Sequence, residues 1–287
     1  MMGTTALSVI IILAIILIML VVIIIGGKDQ LSWKFLTTFP QDGMTKGGIF
    51  PAIFGTALMV IIMSVAAVPF GTITAIYLTE YARERSWIAK AVQFAVKTLA
   101  MVPSIIFGLF GLGFFIKFVG GGMDQAFFGG HLTWAQPNIL WASLTMALLT
   151  LPVVIVSVEE SIRTVPRDLR EASLALGATK WQTIRKIVLP GARSGILTGT
   201  ILAVSRGAGE VAPILFTGAA YYLATLPRGL SDQFMSLGYH IYIMSTQSVN
   251  VDQTLPIQFA TTLVLLMLTF SLNLVAVVIR SRLRRTH

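Results

Sequence analysis

The chain has no cysteine and only three histidines, His131, His240 and His287, which are scattered. Disulfides and thiolate-ligated metals are therefore excluded, and the imidazoles offer no metal-ligand spacing. Acidic residues are scarce, twelve against twenty-one Lys and Arg. No carboxylate dyad stands out, nor a nucleophile beside a base. The G-x-x-x-x-G-K-[ST] phosphate loop is also missing, and Gly43-Met44-Thr45-Lys46-Gly47 lacks its spacing. The chain is expected to carry no catalytic site and no cofactor of its own.

Apolar length is what the sequence has in abundance. Hydrophobic residues make up 55% of it and charged residues 11%. Charge-free runs long enough to cross a hydrocarbon core, each about 20 residues, recur along it. Six are read: Ala6 to Ile25, Ile49 to Thr79, Thr98 to Ile116, Leu132 to Val158, Ser194 to Thr217 and Leu255 to Ile279. An all-α integral membrane protein with six transmembrane helices follows. The first run is expected to be a retained helix, because no Lys or Arg precedes it, it is longer than a signal core, and Gly26-Gly27-Lys28-Asp29 is a poor cleavage site. Pro69, Pro103, Pro152 and Pro213 fall within or near the ends of spans, where each removes a backbone donor.

Lys and Arg are distributed unevenly between the loops. One side holds Arg83, Arg85, Lys90, Lys97, seven residues of the 159–193 loop (Arg163, Arg167, Arg170, Lys180, Arg185, Lys186, Arg193), and Arg280, Arg282, Arg284 and Arg285. The other holds Lys28, Lys34, Lys46, Lys117 and Arg228. The positive-inside rule puts both termini and the 159–193 loop in the cytoplasm. The basic balance then reflects topology and anionic lipid and calls for no nucleic acid.

That loop has a readable structure. Pro166 suits a first helical turn, apolar residues at 172, 174 and 176 continue it, and Gly177 is the left-handed stop. Thr179 with Gln182 makes a capping box for a second helix, with Trp181, Ile184, Ile187 and Val188 on its apolar side and Pro190 at its close. Two short helices joined by a small elbow fit an amphipathic hairpin on lipid headgroups or a protein-docking element.

A second constellation lies in the fifth span. Arg206 and Glu210 are four residues apart, so they share a helix face and can pair. The pair either holds the helix together, or Arg206 lines a polar path for an anion with Glu210 orienting it. Ionisable residues in a span are costly and mark function more often than not. Gly195, Gly199, Ala203 and Gly207 recur every four residues as a stripe for close helix packing. Trp134, Tyr221 and Tyr222 read as interface-belt aromatics.

The run Glu171-Ala172-Ser173, with Gly177, Ile187 and Leu189-Pro190 at their spacings, resembles the cytoplasmic loop signature of ABC-importer permeases, Ser173 replacing the commoner Ala. Arg206 through Gly209-Glu210 to Ala212-Pro213 and Leu215-Phe216-Thr217 is similar to the PstA-type permeases of phosphate importers. So are Val102-Pro103-Ser104-Ile105, Gly108-Leu109-Phe110, and Phe234-Met235-Ser236-Leu237 to Thr246-Gln247-Ser248. Val211 stands where Thr is common, which weakens any claim for a hydroxyl ligand there.

The resemblance implies a type I ABC importer permease fold in a prokaryotic cytoplasmic membrane. It implies a coupling helix whose Glu171, Ala172, Gly177, Ala178, Thr179, Lys180 and Trp181 meet an ATP-binding subunit. Residues 1–48 would form an N-terminal helix and outer loop, and 49–287 the permease domain. Phosphate would be the cargo. A PstC-type permease, two PstB-type subunits binding ATP and Mg, and a PstS-type phosphate-binding protein would be the partners. Alternatives are a permease for sulfate or molybdate, a secondary transporter, for which no inverted repeat is visible and Glu210 is the one acidic candidate, and a non-transporting phosphate-signalling scaffold.

Overall fold

The computed structural model describes residues 2–83, 86–248 and 251–285; Arg85 and His287 lie outside them, and the side chains of Arg280, Arg284 and Arg285 are likewise not described. Six helices are long and apolar enough to cross a membrane: Thr5–Gly27, Phe50–Tyr81, Ser104–Phe127, Ile139–Arg163, Lys180–Gly209 and Val251–Val275. The number agrees with the sequence reading; several boundaries move, three of them for a local physical reason.

Pro103 moves the first. Helix α4 (Trp87–Met101) stops at Val102, which adopts an extended backbone, φ −72° and ψ 130°, as the residue before proline prefers. The third span therefore starts at Ser104 instead of Thr98 and runs through α5 (Ser104–Phe110), a π-helical stretch (Gly111–Gly120) and α6 (Gly121–Phe127).

The second moved boundary is the start of α7 (Ile139–Arg163), seven residues after Leu132. The segment before it is held as a loop by the buried carboxylate of Asp124, which accepts from the backbone N–H groups of Thr133 at 2.9 Å, Trp134 at 2.9 Å and Ala135 at 2.8 Å. Asn138 then caps α7 by accepting from Trp141 N–H at 2.8 Å.

The third is the end of α10 (Leu189–Gly209), which stops before Thr217. Gly207 and Gly209 weaken its last turn and Pro213 cannot continue it. Residues 211–219 form consecutive turns instead, with Thr217 Oγ1 donating to Pro213 O at 2.9 Å.

The chain divides into two units. The first comprises Met1–Thr56, Ala220–Leu226 and Phe234–Leu268. It holds α1 (Met2–Gly27), α2 (Trp33–Thr37), the short antiparallel pair β1 (Pro40–Gln41) and β2 (Lys46–Gly47), and the start of α3 (Phe50–Ile76). It also holds α11 (Leu237–Gln247) and the first half of α12 (Val251–Arg285). Its core gathers Phe35, Ile49, Ala52, Met235, Leu237, Ile257 and Ala260. Thr56 Oγ1 accepts from Leu237 N–H at 2.9 Å, and Gln258 Nε2 donates to Met244 O at 3.0 Å, joining α12 to α11. Gly26 and Gly27 touch α12 so closely that a Cβ would collide with the Phe259 ring and the Ala260 backbone. The rest of α1 is exposed along its apolar length, the condition of a helix whose solvent is lipid.

His240 is buried in this unit with no hydrogen-bond partner on either ring nitrogen. Burial pushes its pKa down to about 4, so it is neutral at ordinary pH.

The second unit comprises Ala57–Ala219, Pro227–Gln233 and Thr269–His287, and α7 is its axis. Ile139, Ala142, Met146, Val154, Val158 and Ile162 are fully enclosed. The predicted small-residue stripe packs α10 onto α7. Gly195 faces Ser161 and Gly199 faces Ser157, each too near for a larger side chain to enter without displacement. Ser161 Oγ donates to Ala192 O at 2.9 Å and Ser157 Oγ to Gly195 O at 3.3 Å. Such bonds between packed helices in lipid contribute about 0.6 kcal/mol each. Further along, Gly207 meets Met63 of α3.

Candidate functional site

The hairpin between α7 and α10 is assembled from local signals. Helix α8 (Arg167–Ala175) opens after Pro166, which sits one position before the first turn. It closes in a Schellman motif: Gly177 N–H donates to Leu174 O at 3.0 Å and Ala178 N–H to Ser173 O at 3.2 Å. Gly177 has φ +85° and nothing within 4 Å of where a Cβ would stand. Its glycine is needed for backbone conformation and not for room within this chain; a side chain there costs about 1–2 kcal/mol.

The capping box is present as expected. Gln182 N–H donates to Thr179 Oγ1 at 3.3 Å, and Thr179 N–H to Gln182 Oε1 at 2.8 Å. Helix α9 (Lys180–Thr183) starts there. Pro190 does not close it, contrary to the sequence reading. A π turn (Ile184–Val188) follows, in which Leu189 N–H reaches back to Ile184 O, and the chain continues into α10. The wide turn releases the geometry that proline would otherwise break.

Ser173 and Thr183 fasten the two short helices, their hydroxyls 2.9 Å apart, which gives the departure from Ala at 173 a physical role. Arg170 anchors the hairpin's root, with Nη2 donating to Ile162 O at 2.7 Å and standing 3.2 Å from Glu80 Oε1 in the π-helical turn (Tyr77–Tyr81) that follows α3. Lys180 Nζ lies 5.0 Å from the centre of the Tyr81 ring. No sequence periodicity connects Glu80 or Tyr81 to this loop, so both were missed.

Ile184 and Val188 are buried, as their apolar periodicity predicts. Trp181, on the same apolar side, is instead 55% exposed. With Leu176 at 89% exposed, and Leu169 and Leu174 also exposed, it gives the hairpin an apolar outer surface. Glu171, Ala172, Thr179 and Lys180 are exposed beside it and Ala178 is half-buried. All seven predicted coupling residues thus share this hairpin.

At the far end of α10, Arg206 Nε lies 3.5 Å from Glu210 Oε1. The pairing was anticipated, but Glu210 is not helical: it is the residue that ends α10, with φ −77° and ψ 136°. Arg206 sits in the last helical turn, where the macrodipole favours a cation. Both side chains keep access to their surroundings, at 41% and 26% exposure. The turns that follow are packed on α5: a Cβ at Gly108 would lie 2.9 Å from Pro213 O and 3.0 Å from the Phe216 ring. Ser205 Oγ donates to Asn273 Oδ1 at 2.6 Å, fastening α10 to α12. Among the described residues no group of three His, Asp or Glu side chains gathers as a metal site.

Thr179 and Arg206 stand at opposite ends of one helical run, separated by about 40 Å at 1.5 Å per residue. The backbone between them is continuously helical, with no intervening loop.

Comparison with known proteins agrees with this geometry. The family described as "Binding-protein-dependent transport system inner membrane component" matches residues 67–285. The chain is 30% identical over 239 residues to the probable ABC transporter permease protein YqgI of Bacillus subtilis, covering 79% of this chain and 76% of that one. It is 35% identical over 236 residues to the phosphate transport system permease protein PstA of Haemophilus influenzae, covering 82% and 74%. A Mycobacterium tuberculosis relative, PstA 1, is 40% identical, and the match spans half its length. In fold, the chain is similar to the crystal structure of a bacterial ABC transporter involved in alginate import, with TM-score 0.68 at 16% identity over 98% of this chain and 95% of that one.

Proposed function

This chain belongs to the family of binding-protein-dependent transport system inner membrane components, and from that membership we propose that it is one of the two membrane subunits of an ATP-driven phosphate importer. It is a multi-pass membrane protein with the type I ABC importer permease fold. The single observation that carries the reading is the continuous helical run from the capped hairpin to Arg206, in a chain whose relatives are named phosphate permeases.

In this reading Glu171, Ala172, Gly177, Ala178, Thr179, Lys180 and Trp181 seat in a groove of a PstB-type ATP-binding subunit, two of which bind ATP and Mg for the complex. The exposed Leu176 and Trp181 supply apolar contact, and the exposed Lys and Glu supply orientation. A PstC-type permease completes the pathway and a PstS-type protein delivers phosphate from outside. Arg206 meets the tetrahedral anion with its planar two-donor fork, and Glu210 occupies that fork when no anion is present. A single contact of this kind releases as readily as it binds, which conduction requires. The hairpin and both termini face the cytoplasm.

The test is complementation of a strain lacking this subunit, with uptake of labelled phosphate measured against excess sulfate or molybdate. Restored uptake resistant to both competitors is expected. Uptake of sulfate or molybdate in preference to phosphate overturns the cargo assignment, and restored phosphate signalling without uptake overturns transport itself.

A further inference from the structure

A cavity of about 390 Å³ opens beside the root of the hairpin, away from the Arg206 end of α10. It lies within the second unit, between the π turn that follows α3 (Tyr77–Tyr81), the start of α4, the end of α7 and the first turns of α8. Its volume falls in the roughly 300–1,000 Å³ range of small-molecule sites. Among the described residues five cations line it, Arg83, Lys90, Arg163, Arg167 and Arg170, against one carboxylate, Glu80.

Two of these cations are already engaged, Arg170 with Glu80 at 3.2 Å and Arg163 with Glu159 at 2.6 Å. Among the described residues Arg83, Lys90 and Arg167 have no carboxylate partner. The Arg170 Nε is buried without an acceptor although its Nη2 is satisfied, an N–H that ordinarily finds a partner. Helix α8 also begins at this wall with no side-chain cap on its first N–H groups, so its positive end adds to the field. The cations come from separate elements and enclose a volume. A solvated basic face produced by topology alone has neither feature.

We propose that this cavity is an anion site for a phosphate group, carried by a lipid headgroup or by free inorganic phosphate. Guanidinium forks match the tetrahedral oxygens, and the bound group neutralises the surplus charge. Because Arg83 and Lys90 stand on the α3–α4 side and Arg163 and Arg167 on the α7–α8 side, the ligand bridges the root of the hairpin to the rest of the unit and sets how freely the hairpin tilts.

The full-length chain, purified with its co-isolating subunits, tests this in nanodiscs that expose both faces. The variant Lys90→Gln/Arg167→Gln neutralises two exposed, unpaired cations of the cavity. Arg185→Gln/Lys186→Gln removes the same charge from exposed positions outside it. One arm counts phosphatidic acid retained after incorporation into phosphatidylcholine doped with that lipid, by native mass spectrometry. The other measures labelled inorganic phosphate bound in pure phosphatidylcholine. At least a tenfold loss in the cavity variant alone is expected in one arm; loss of retained lipid identifies a headgroup and loss of bound phosphate identifies the free anion. Equal behaviour of the two variants in both arms, or no binding of either probe to the unaltered chain, overturns the site. Arg206 is intact in both variants, so this outcome is independent of the transport pathway.

Discussion

Arg206 Nε stands 3.5 Å from Oε1 of Glu210, and the glutamate is the residue at which helix α10 stops. Its position therefore depends on the turns at 211–219 and their packing on α5, and not on helix register alone.

Because both side chains remain accessible, the pair itself contributes little to stability, about 0–1 kcal/mol as for exposed ion pairs. Arg206→Gln and the double variant Arg206→Gln/Glu210→Gln are both expected to assemble. Labelled-phosphate uptake should fall at least tenfold in each, with Arg206→Lys intermediate because an ammonium keeps the charge and loses the fork. Near-normal uptake by an assembled double variant removes Arg206 from the pathway.

The hairpin surface separates coupling from folding. Leu176 and Trp181 are exposed, so Leu176→Asp and Trp181→Asp should leave the chain's thermal stability within about 0.5 kcal/mol, as for ordinary surface changes. Co-purification of the ATP-binding subunits and uptake should both drop. Unchanged co-purification in both variants counts against docking through this face.

Gly177 allows a narrower test. At φ +85° with open space around it, Gly177→Asn should be tolerated by the fold and Gly177→Val should cost about 1–2 kcal/mol. If Gly177→Asn folds as the original does and still loses coupling, the groove needs the missing side chain; full coupling in Gly177→Asn makes the glycine a helix stop only.

Topology is checked by single cysteines in this cysteine-free chain. Leu176→Cys, at the hairpin tip, and Leu132→Cys, before α7, are both strongly exposed and should label from opposite sides of the membrane. Labelling of both by an impermeant reagent added outside intact cells contradicts a cytoplasmic hairpin.

His240 predicts a pH dependence. Its folded pKa of about 4 lies below the ordinary histidine value of 6.5, so the unfolded chain binds the proton first and stability falls as pH drops from 6.5 towards 4. At 1.36 kcal/mol per unit the loss is about 3 kcal/mol. Replacing it by Leu should flatten thermal stability across that window, and an unchanged slope would show that other groups set it.

The elements legible in the sequence were those coded locally. Gly177, the Thr179–Gln182 box and the four-residue glycine stripe each act within a turn or two of themselves, and each has its structural counterpart. What escaped were contacts between distant segments. Glu80 with Arg170, Asp124 with the 133–135 backbone, and Ser205 with Asn273 carry no periodic signal. Hydropathy also overran the end of α10, because residues 211–217 are as apolar as a helix while the backbone there turns. The exposure of Trp181 was not legible for a related reason: an amphipathic pattern cannot distinguish a face turned to the protein from one left open.

The π turn at Ile184–Val188 has a geometric consequence for how Arg206 faces relative to the hairpin. Such a turn accommodates one residue more than an α-helix of the same length, and each residue of an α-helix advances about 100° around the axis. Carried as regular helix, the same extra residue would swing Arg206 by about that angle relative to the hairpin, whereas the π turn absorbs it, so removing one residue within 184–188 should leave the phase of Arg206 nearly unchanged. The irregularity thus keeps the two ends in phase as well as making room for Pro190.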